Sequence, residues 1–178
     1  VLVTGSITNN TAYLCGGGVS VENEGAGFTM EGGTISGNTV RGDSVGHAHG
    51  GGIFVYEKAT FVMNGGLISE NHSAHSGGGV HIGSYDDTSY TGEGTGTING
   101  GTISDNTSAF GGGGIILWGD KVVLHRHGGT ISGHQAMKDA GGRGGQGGGI
   151  CVIRGLINMG ESPTNPAQVH EIANNTAD

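Results

Sequence analysis

The chain has 178 residues, of which 42 are glycine and only 12% are charged, and its formal net charge is −8. Its seven lysines and arginines are scattered and form no basic stripe, so nucleic acid is not expected as a partner. No apolar run reaches the length of a membrane span, so membrane insertion is not expected either. This composition is typical of a secreted or cell-surface domain with an acidic surface, and we expect an extracellular location.

A repeated segment runs along the chain. The sequence Gly-Gly-Thr-Ile-Ser-Gly-Asn-Thr at 32–39 returns with small changes at 65–72, 100–107 and 128–135, and a Gly-Gly-Gly-Ile or Gly-Gly-Gly-Val lies between the copies. Repetition of this kind predicts one short structural unit that is stacked several times.

Three columns of apolar residues recur with the repeat. The first column is Ile7, Ile35, Ile68, Ile103, Ile131 and Ile172; the second is Val19, Ile53, Val80, Ile115 and Ile150; the third is Phe28, Met30, Phe61, Met63, Ile98, Val122, Leu124, Ile157 and Met159. Apolar and small or polar residues alternate around these positions, as they do in strands. The pattern predicts an all-β right-handed parallel β-helix (β-solenoid) of about five to six coils with three short strands in each. A β-sandwich would instead show closely spaced turn signals without fixed columns.

An asparagine follows each isoleucine of the first column by three residues in all coils but one. These asparagines are Asn10, Asn38, Asn71, Asn106 and Asn175. Stacked amides bond to one another in ladders, so we expect a continuous asparagine ladder. His134 occupies the remaining position, and we expect the fifth coil to differ locally there.

The repeat pattern also leads to predictions about domain organisation and about the two cysteines. Val1 falls within what the pattern assigns to a strand of a preceding coil, so we expect 1–178 to be a single β-helix domain excised from a longer multidomain chain. Cys15 and Cys151 lie about four coils apart, which exceeds the reach of a disulfide, so we expect free thiols.

Large apolar side chains occupy outward positions on the Gly-Gly-Gly-Ile strand. Tyr56 and Trp118 are two coils apart, about 9.6 Å by strand spacing, which is close to two sugars of an extended β-1,4-linked chain. Aromatic rings stack on the apolar faces of sugars, so we interpret this strip as a binding surface. The alternative is that a loop covers the strip and makes it a second core.

Acidic residues gather at the corner beside the strip, where carboxylates would accept hydrogen bonds from sugar hydroxyls. The corner carries Glu22, Glu24, Glu57, Asp86, Asp87, Glu93 and Asp120. The predicted carbohydrate site comprises Phe54, Tyr56, His81, Tyr85, Tyr90, Trp118, Glu57, Asp86 and Asp120. A calcium site at Asp86 and Asp87 and plain surface charge are the alternative readings of the acidic residues.

Catalysis is not expected, because no strand face carries carboxylates on neighbouring coils and glycoside hydrolysis needs a converging pair. The pairs His47 with His49 and His125 with His127 lack a cysteine or carboxylate at a fixed offset, so no metal site is assigned. A third class, ice binding, would use the outward threonine row, which Leu67 interrupts.

The alternation of Gly-Gly-Thr-Ile-Ser-Gly-Asn-Thr with Gly-Gly-Gly-Ile-Phe-Val resembles the right-handed β-helix repeats of bacterial secreted and surface proteins, including adhesins of gut bacteria. The five-coil architecture with Tyr56 and Trp118 is also similar to the β-helical xylan-binding modules of carbohydrate-binding module family 89. That resemblance implies a plant cell-wall polysaccharide, xylan or a related β-glycan, as ligand, and covalent linkage to a glycoside hydrolase or other surface domains. An adhesin or structural surface domain is the alternative, followed by a pectate-lyase-like polysaccharide-degrading enzyme.

Overall fold

The computed structural model describes residues 1–42, 47–86, 90–138, 142, 144–160 and 171–177. The regular secondary structure in these ranges is β-strand throughout, and no helix long and apolar enough to cross a membrane is found there. The strands, numbered in chain order, form four sheets.

The first two sheets have six strands each. The first contains β1 (Ser6–Thr8), β5 (Thr34–Ser36), β9 (Leu67–Ser69), β13 (Thr102–Ser104), β17 (Thr130–Ser132) and β21 (Glu171–Ala173). The second contains β2 (Thr11–Ala12), β6 (Thr39–Val40), β10 (His72–Ser73), β14 (Thr107–Ser108), β18 (Gln135–Ala136) and β22 (Thr176–Ala177).

The other two sheets have five strands each. The third contains β3 (Val19–Val21), β7 (Ile53–Val55), β11 (Val80–Gly83), β15 (Ile115–Trp118) and β19 (Ile150–Val152). The fourth contains β4 (Gly27–Met30), β8 (Thr60–Met63), β12 (Glu93–Ile98), β16 (Lys121–Arg126) and β20 (Leu156–Met159).

Each strand pairs in parallel with the strand four places later, so four consecutive strands make one coil. This arrangement is consistent with a parallel β-helix and confirms the all-β, all-parallel prediction. The predicted column register is confirmed as well, for example by Ile35 opposite Ile68. The prediction of three strands per coil is wrong, because a two-residue strand such as Thr39–Val40 is too short to show alternation in the sequence.

The inner core lies between the first, third and fourth sheets. Its buried side chains are almost all aliphatic or methionine, with Phe61 as the buried aromatic member. They form one continuous cluster: Val21, Met30, Ile35, Ile53, Val55, Ala59, Phe61, Met63, Ile68, Val80, Ile82, Ile98, Ile103, Ile115, Leu117, Val122, Leu124 and Ile131. Burial of this apolar surface supplies the main stabilisation of the stack.

The asparagine ladder is confirmed. Asn38 Nδ2 donates to Asn71 Oδ1 over 2.9 Å, and Asn71 Nδ2 donates to Asn106 Oδ1 over the same distance. The second proton of Asn71 Nδ2 goes to the carbonyl oxygen of Ile35 at 3.0 Å. Each buried amide therefore has partners in the coils on both sides, as burial of a polar group requires.

His134 continues this ladder instead of breaking it, so the prediction of a locally different fifth coil is wrong at this position. Its Nδ1 accepts the backbone N–H of Asn106 at 3.0 Å, and its Nε2–H donates to the carbonyl oxygen of Ile103 at 3.0 Å. These are the roles of the Oδ1 and Nδ2 atoms of an asparagine. Burial lowers the pKa of His134 to about 4, which keeps the imidazole neutral and its Nδ1 able to accept.

The Gly-Gly-Gly repeat is explained by close approach between coils. A Cβ at Gly52 would lie 2.6 Å from the carbonyl oxygen of Gly79 and 3.0 Å from Asn71 Nδ2. A Cβ at Gly79 would meet the same two kinds of atom, Gly114 O at 2.7 Å and Asn106 Nδ2 at 3.0 Å. The glycines thus leave the space in which the ladder amides lie.

Among the described residues, one charged side chain lies inside the stack. Arg126 is fully buried opposite Ile98, in the row that holds Met63 in an earlier coil. Its Nη2 donates to the carbonyl oxygens of Gly129 at 2.6 Å and Glu171 at 2.9 Å. Carbonyl dipoles therefore stabilise this buried guanidinium.

Candidate functional site

The predicted aromatic strip is not an open surface. Phe54, His81 and Trp118 are 1%, 0% and 4% exposed, so the prediction that they form an accessible platform is wrong. Segments that connect the second sheet to the third cover them: the His49 ring lies 6.3 Å from Phe54, and the Phe110 ring lies 6.0 Å from Trp118. The alternative reading, a second core, describes this face.

We call this second core the outer cluster. It comprises Phe54, His81 and Trp118 from the strands and His49, His75 and Phe110 from the connecting segments. The rings of His49 and His81 are 4.7 Å apart, and those of His75 and Phe110 stack at 4.8 Å. The period of a strand predicts which side chains point outward, but it contains no information on a segment that then folds over them.

A hydrogen-bonded chain crosses the outer cluster. Ser76 Oγ lies 2.8 Å from His49 Nδ1 and 3.1 Å from His81 Nδ1. The Nε2 atoms donate outward, His49 to the carbonyl oxygen of Tyr85 at 2.9 Å and His81 to that of Ser84 at 2.7 Å. Burial lowers the pKa of His49 to about 2 and that of His81 to about 3, so both rings are neutral. Both Nδ1 atoms are then acceptors, and the single Ser76 Oγ proton is donated to one of them at a time. Together the two histidines fix the backbone that carries Tyr85.

Three of the predicted aromatic residues remain accessible. Tyr85 is 44% exposed and Tyr90 is 38% exposed, while Tyr56 is half-buried. The rings of Tyr56 and Tyr85 meet edge to face at 5.2 Å, and Tyr56 stacks on Phe54 at 6.0 Å. The outer cluster therefore supports Tyr56 from behind and leaves part of it accessible.

Tyr56 forms a wall of a cavity of about 550 Å³, which we call the acidic cleft. It is lined by Asn23, Glu24, Tyr56, Glu57, Lys58, Thr91 and Glu93. The structure thus brings together Tyr56 and Glu57 of the predicted site. The lining residues Asn23, Lys58 and Thr91 were not predicted, although Lys58 directly follows Glu57 at the same corner.

The corner that contributes most to the cleft has an unusual backbone. Glu57 and Lys58 both have positive φ, 52° and 65°, and the Ala59 N–H closes the turn onto Tyr56 O at 3.1 Å. Residues with a side chain are strained in this region, and such strain concentrates at functional sites. In the preceding coil the corresponding corner has Asn23, a residue type that tolerates positive φ more readily.

Three carboxylates from successive coils, those of Glu24, Glu57 and Glu93, surround the acidic cleft, at the corner where acidic residues were expected to gather. The corners bring them there, not the strand faces. Glu24 pairs with Lys58 Nζ at 3.0 Å, and Glu93 pairs with Lys121 Nζ at 2.5 Å. The hydrogen bond from Lys121 lowers the pKa of Glu93. Within the described part of the chain, the Glu57 carboxylate has no hydrogen-bond or ion-pair partner.

The predicted residues Tyr90 and Asp120 lie in a separate group. The guanidinium of Arg154 lies 4.2 Å from the centroid of the Tyr90 ring and donates to Asp120 Oδ1 at 2.9 Å. One face of Tyr90 is therefore occupied by a cation, and the Asp120 carboxylate is already paired. Neither group extends the wall that Tyr56 forms.

The calcium alternative involves Asp86, which is half-buried and donates its N–H to Ser84 Oγ at 3.1 Å, and Asp87, which lies outside the described residues. No group of three or more potential metal ligands occurs in the described ranges. The rings of His125 and His127 stack at 6.2 Å.

A second cavity of about 590 Å³ is lined in part by Tyr13, Leu14, Cys15 and Tyr85. Burial and the Glu22 carboxylate raise the pKa of Cys15 to about 12, so its thiol is not a nucleophile at neutral pH. Cys15 and the buried Cys151 are both free thiols.

Comparisons of the chain with protein families, with curated proteins and with solved structures find no match.

Proposed function

We propose that the chain is a right-handed β-helix of five coils and a partial sixth that acts as a non-catalytic carbohydrate-binding module of family-89 type. Its ligand is a plant cell-wall polysaccharide, xylan or a related β-glycan, bound in the acidic cleft. In the same proposal the module is an extracellular part of a larger bacterial protein that carries a glycoside hydrolase or other surface domains.

The accessible ring of Tyr56 in the wall of the cleft carries this proposal. A sugar buries an apolar face on such a ring while its hydroxyls face polar groups. Carboxylates accept from sugar hydroxyls, and a lysine and an asparagine donate to them. The cleft places Asn23, Glu57 and Lys58 around Tyr56, and its volume of about 550 Å³ is within the range of small-ligand sites.

The proposed site differs from the strip predicted from the sequence. Tyr56 and Glu57 remain as ligand-contacting residues, and Tyr85 packs edge to face against Tyr56 from the second cavity. Phe54, His81 and Trp118 belong to the buried outer cluster behind them. A buried ring has no surface to offer a sugar.

The test is calorimetric titration of the 178-residue chain with soluble xylans, glucans, mannans and pectins. We expect Tyr56→Ala to weaken binding by about 1 to 2 kcal/mol, the loss typical of an interface aromatic. Tyr13→Ala is the matched control, because Tyr13 is an exposed tyrosine that lines the second cavity and not the acidic cleft. Equal loss in both variants, or no binding to any polysaccharide, contradicts the proposal.

A polysaccharide-degrading enzyme is the second candidate, because three carboxylates surround one cleft. A glycosidase needs one carboxyl group that stays protonated as the general acid. Glu93 pairs with Lys121 and Glu24 pairs with Lys58, so Glu57 has no second unpaired carboxyl group beside it among the described lining residues of the cleft, which favours binding without cleavage. We expect no new reducing ends and no unsaturated uronates when the purified chain is incubated with the same panel, and their appearance would favour the enzyme.

A further inference from the structure

Negatively charged side chains outnumber positively charged ones around Tyr56. Glu24, Glu57 and Glu93 line the acidic cleft, and Lys58 is the single cationic side chain among its described lining residues. Lys121, which pairs with Glu93, lies outside the lining. The cleft therefore presents three carboxylates and one ammonium group to a ligand.

The ammonium group is already engaged. Lys58 Nζ is 3.0 Å from Glu24 Oε2, so an anionic ligand would have to compete with an existing ion pair for it. Glu57 has no such partner in the described part of the chain, and its charge is left facing the cleft. The net field next to Tyr56 is negative.

The pKa of the Tyr56 hydroxyl is affected by the same negative charges. Burial raises its pKa first, and the neighbouring Glu57, Tyr85, Asp86 and Glu22 raise it further. Glu22 and Asp86 do not line the cleft, so the negative charge extends beyond the three lining carboxylates on the side of Tyr85.

We infer that the acidic cleft selects polysaccharides without carboxylates and disfavours uronate-bearing chains such as glucuronate-substituted xylan and pectic polygalacturonate. This inference rests on the proposed function and narrows its ligand class. A uronate beside Tyr56 would lie close to Glu57 and find the lysine occupied. Repulsion between like charges a few ångströms apart in a partly wet cleft corresponds to a loss of affinity of at least about fivefold at low salt.

The experiment compares one xylan backbone in two forms: glucuronate-bearing xylan and the same polymer after chemical reduction of its carboxyl groups to alcohols. Titrations at low and at high ionic strength separate charge from shape, because salt screens the charge effect. We expect the reduced polymer to bind at least about fivefold more tightly at low salt, and we expect the difference to shrink at high salt.

Two variants localise the effect. Glu57→Gln keeps the size of the side chain and removes its charge, so we expect it to narrow the difference between the two polymers. Glu31→Gln removes an exposed carboxylate that does not line the cleft and accepts from Asn64, and we expect it to leave the difference unchanged.

The possible results test separately the charge selection, its location in the acidic cleft and the proposed function. Equal binding of the two polymers, or tighter binding of the uronate-bearing one, overturns the charge selection and leaves the module itself in place. A difference that Glu57→Gln does not narrow overturns the assignment to this cleft. Binding of neither polymer nor of any other glycan overturns the proposed function and this inference with it.

Discussion

The inner core and the outer cluster are built from different kinds of side chain. The inner core repeats the same aliphatic residue from coil to coil, as Ile35, Ile68 and Ile103 do. The outward row of the third sheet that contributes Phe54 and His81 to the outer cluster changes at every coil, from Phe54 to His81 to Ile116. Parallel stacking puts identical positions against each other inside the helix, whereas outside it the connecting segments differ and each row residue meets a different neighbour.

This difference assigns separate tasks to the two regions. The inner core and its amide ladder hold the coils together. The outer cluster supports two accessible tyrosines, because Phe54 packs against Tyr56 in the wall of the cleft and His49 fixes the backbone of Tyr85 beside it.

The largest expected effect tests whether the outer cluster is a second core. Trp118→Ala should lower the free energy of unfolding by about 3 to 5 kcal/mol, comparable with about 2 to 5 kcal/mol for Ile68→Ala in the inner core. Glycan affinity of the folded Trp118→Ala protein should change little, since Trp118 is only 4% exposed. Urea denaturation and titration on the same samples measure both quantities. An unchanged free energy of unfolding together with lost glycan binding would instead support the interpretation of Trp118 as part of an exposed binding strip.

A smaller loss is expected in the amide ladder. Asn71→Ala removes a buried amide and leaves both Asn38 Nδ2 and the Asn38 backbone N–H without the acceptor that each has at 2.9 Å, whereas Asn106 Oδ1 keeps the backbone N–H of residue 71. We expect a loss of about 1 to 3 kcal/mol. Asn10→Ala is the matched control, because Asn10 is exposed and bonds to Asn38 alone, so its loss should be smaller. Equal losses of stability in the two variants would contradict the interpretation that the ladder amides stabilise the protein because they are buried.

The sequence predicts the part of the fold that repeats. Ile35, Ile68 and Asn71 were placed correctly because each recurs at a fixed offset. Arg126 was not recognised as interior, although it precedes a residue followed by Gly-Gly, as Met63 and Ile98 do. This fixed position two residues before Gly-Gly is the sequence feature that identifies Arg126 as an interior residue.

The candidate site was predicted only in part. Tyr56 and Glu57 were found because they follow a repeated strand. The covering of Phe54 and Trp118 was missed because His49 and Phe110 belong to connecting segments of unequal length and composition. No periodic pattern specifies how such segments fold over a face.

Lowering the pH should lower the free energy of unfolding, and the loss due to His134 of the ladder should end at a higher pH than the losses due to His49 and His81 of the outer cluster. The folded pKa of His134, about 4, is below the unfolded value near 6.5, so the unfolded chain takes up a proton first and stability falls as pH drops from about 6.5 to about 4. The slope for one proton is at most about 1.4 kcal/mol per pH unit. His49 and His81 add losses that continue to lower pH, because their pKa values are about 2 and about 3.

His134→Asn sharpens this prediction. Asparagine restores the residue type of the ladder and cannot titrate, so we expect a folded protein whose stability depends less steeply on pH between 6.5 and 4. Denaturation midpoints at a series of pH values measure the slope. A slope that matches the wild type would show that His134 does not contribute.

The smallest expected effect concerns Arg126, the charged side chain that is buried in the described part of the stack. Arg126 lies in the row of Met63 and Ile98, and its Nη2 donates to the carbonyl oxygens of Gly129 and Glu171. Replacing a buried charge by an apolar residue of similar volume is often neutral or stabilising, because the desolvation cost disappears. Arg126→Met should therefore change the free energy of unfolding by no more than about 1 kcal/mol, whereas Arg126→Ala should cost more because it leaves a cavity. A large loss in Arg126→Met, equal to that in Arg126→Ala, would mean that the bond to Glu171 O fixes the last coil, and loss of the β17–β21 pairing in hydrogen exchange would locate that effect.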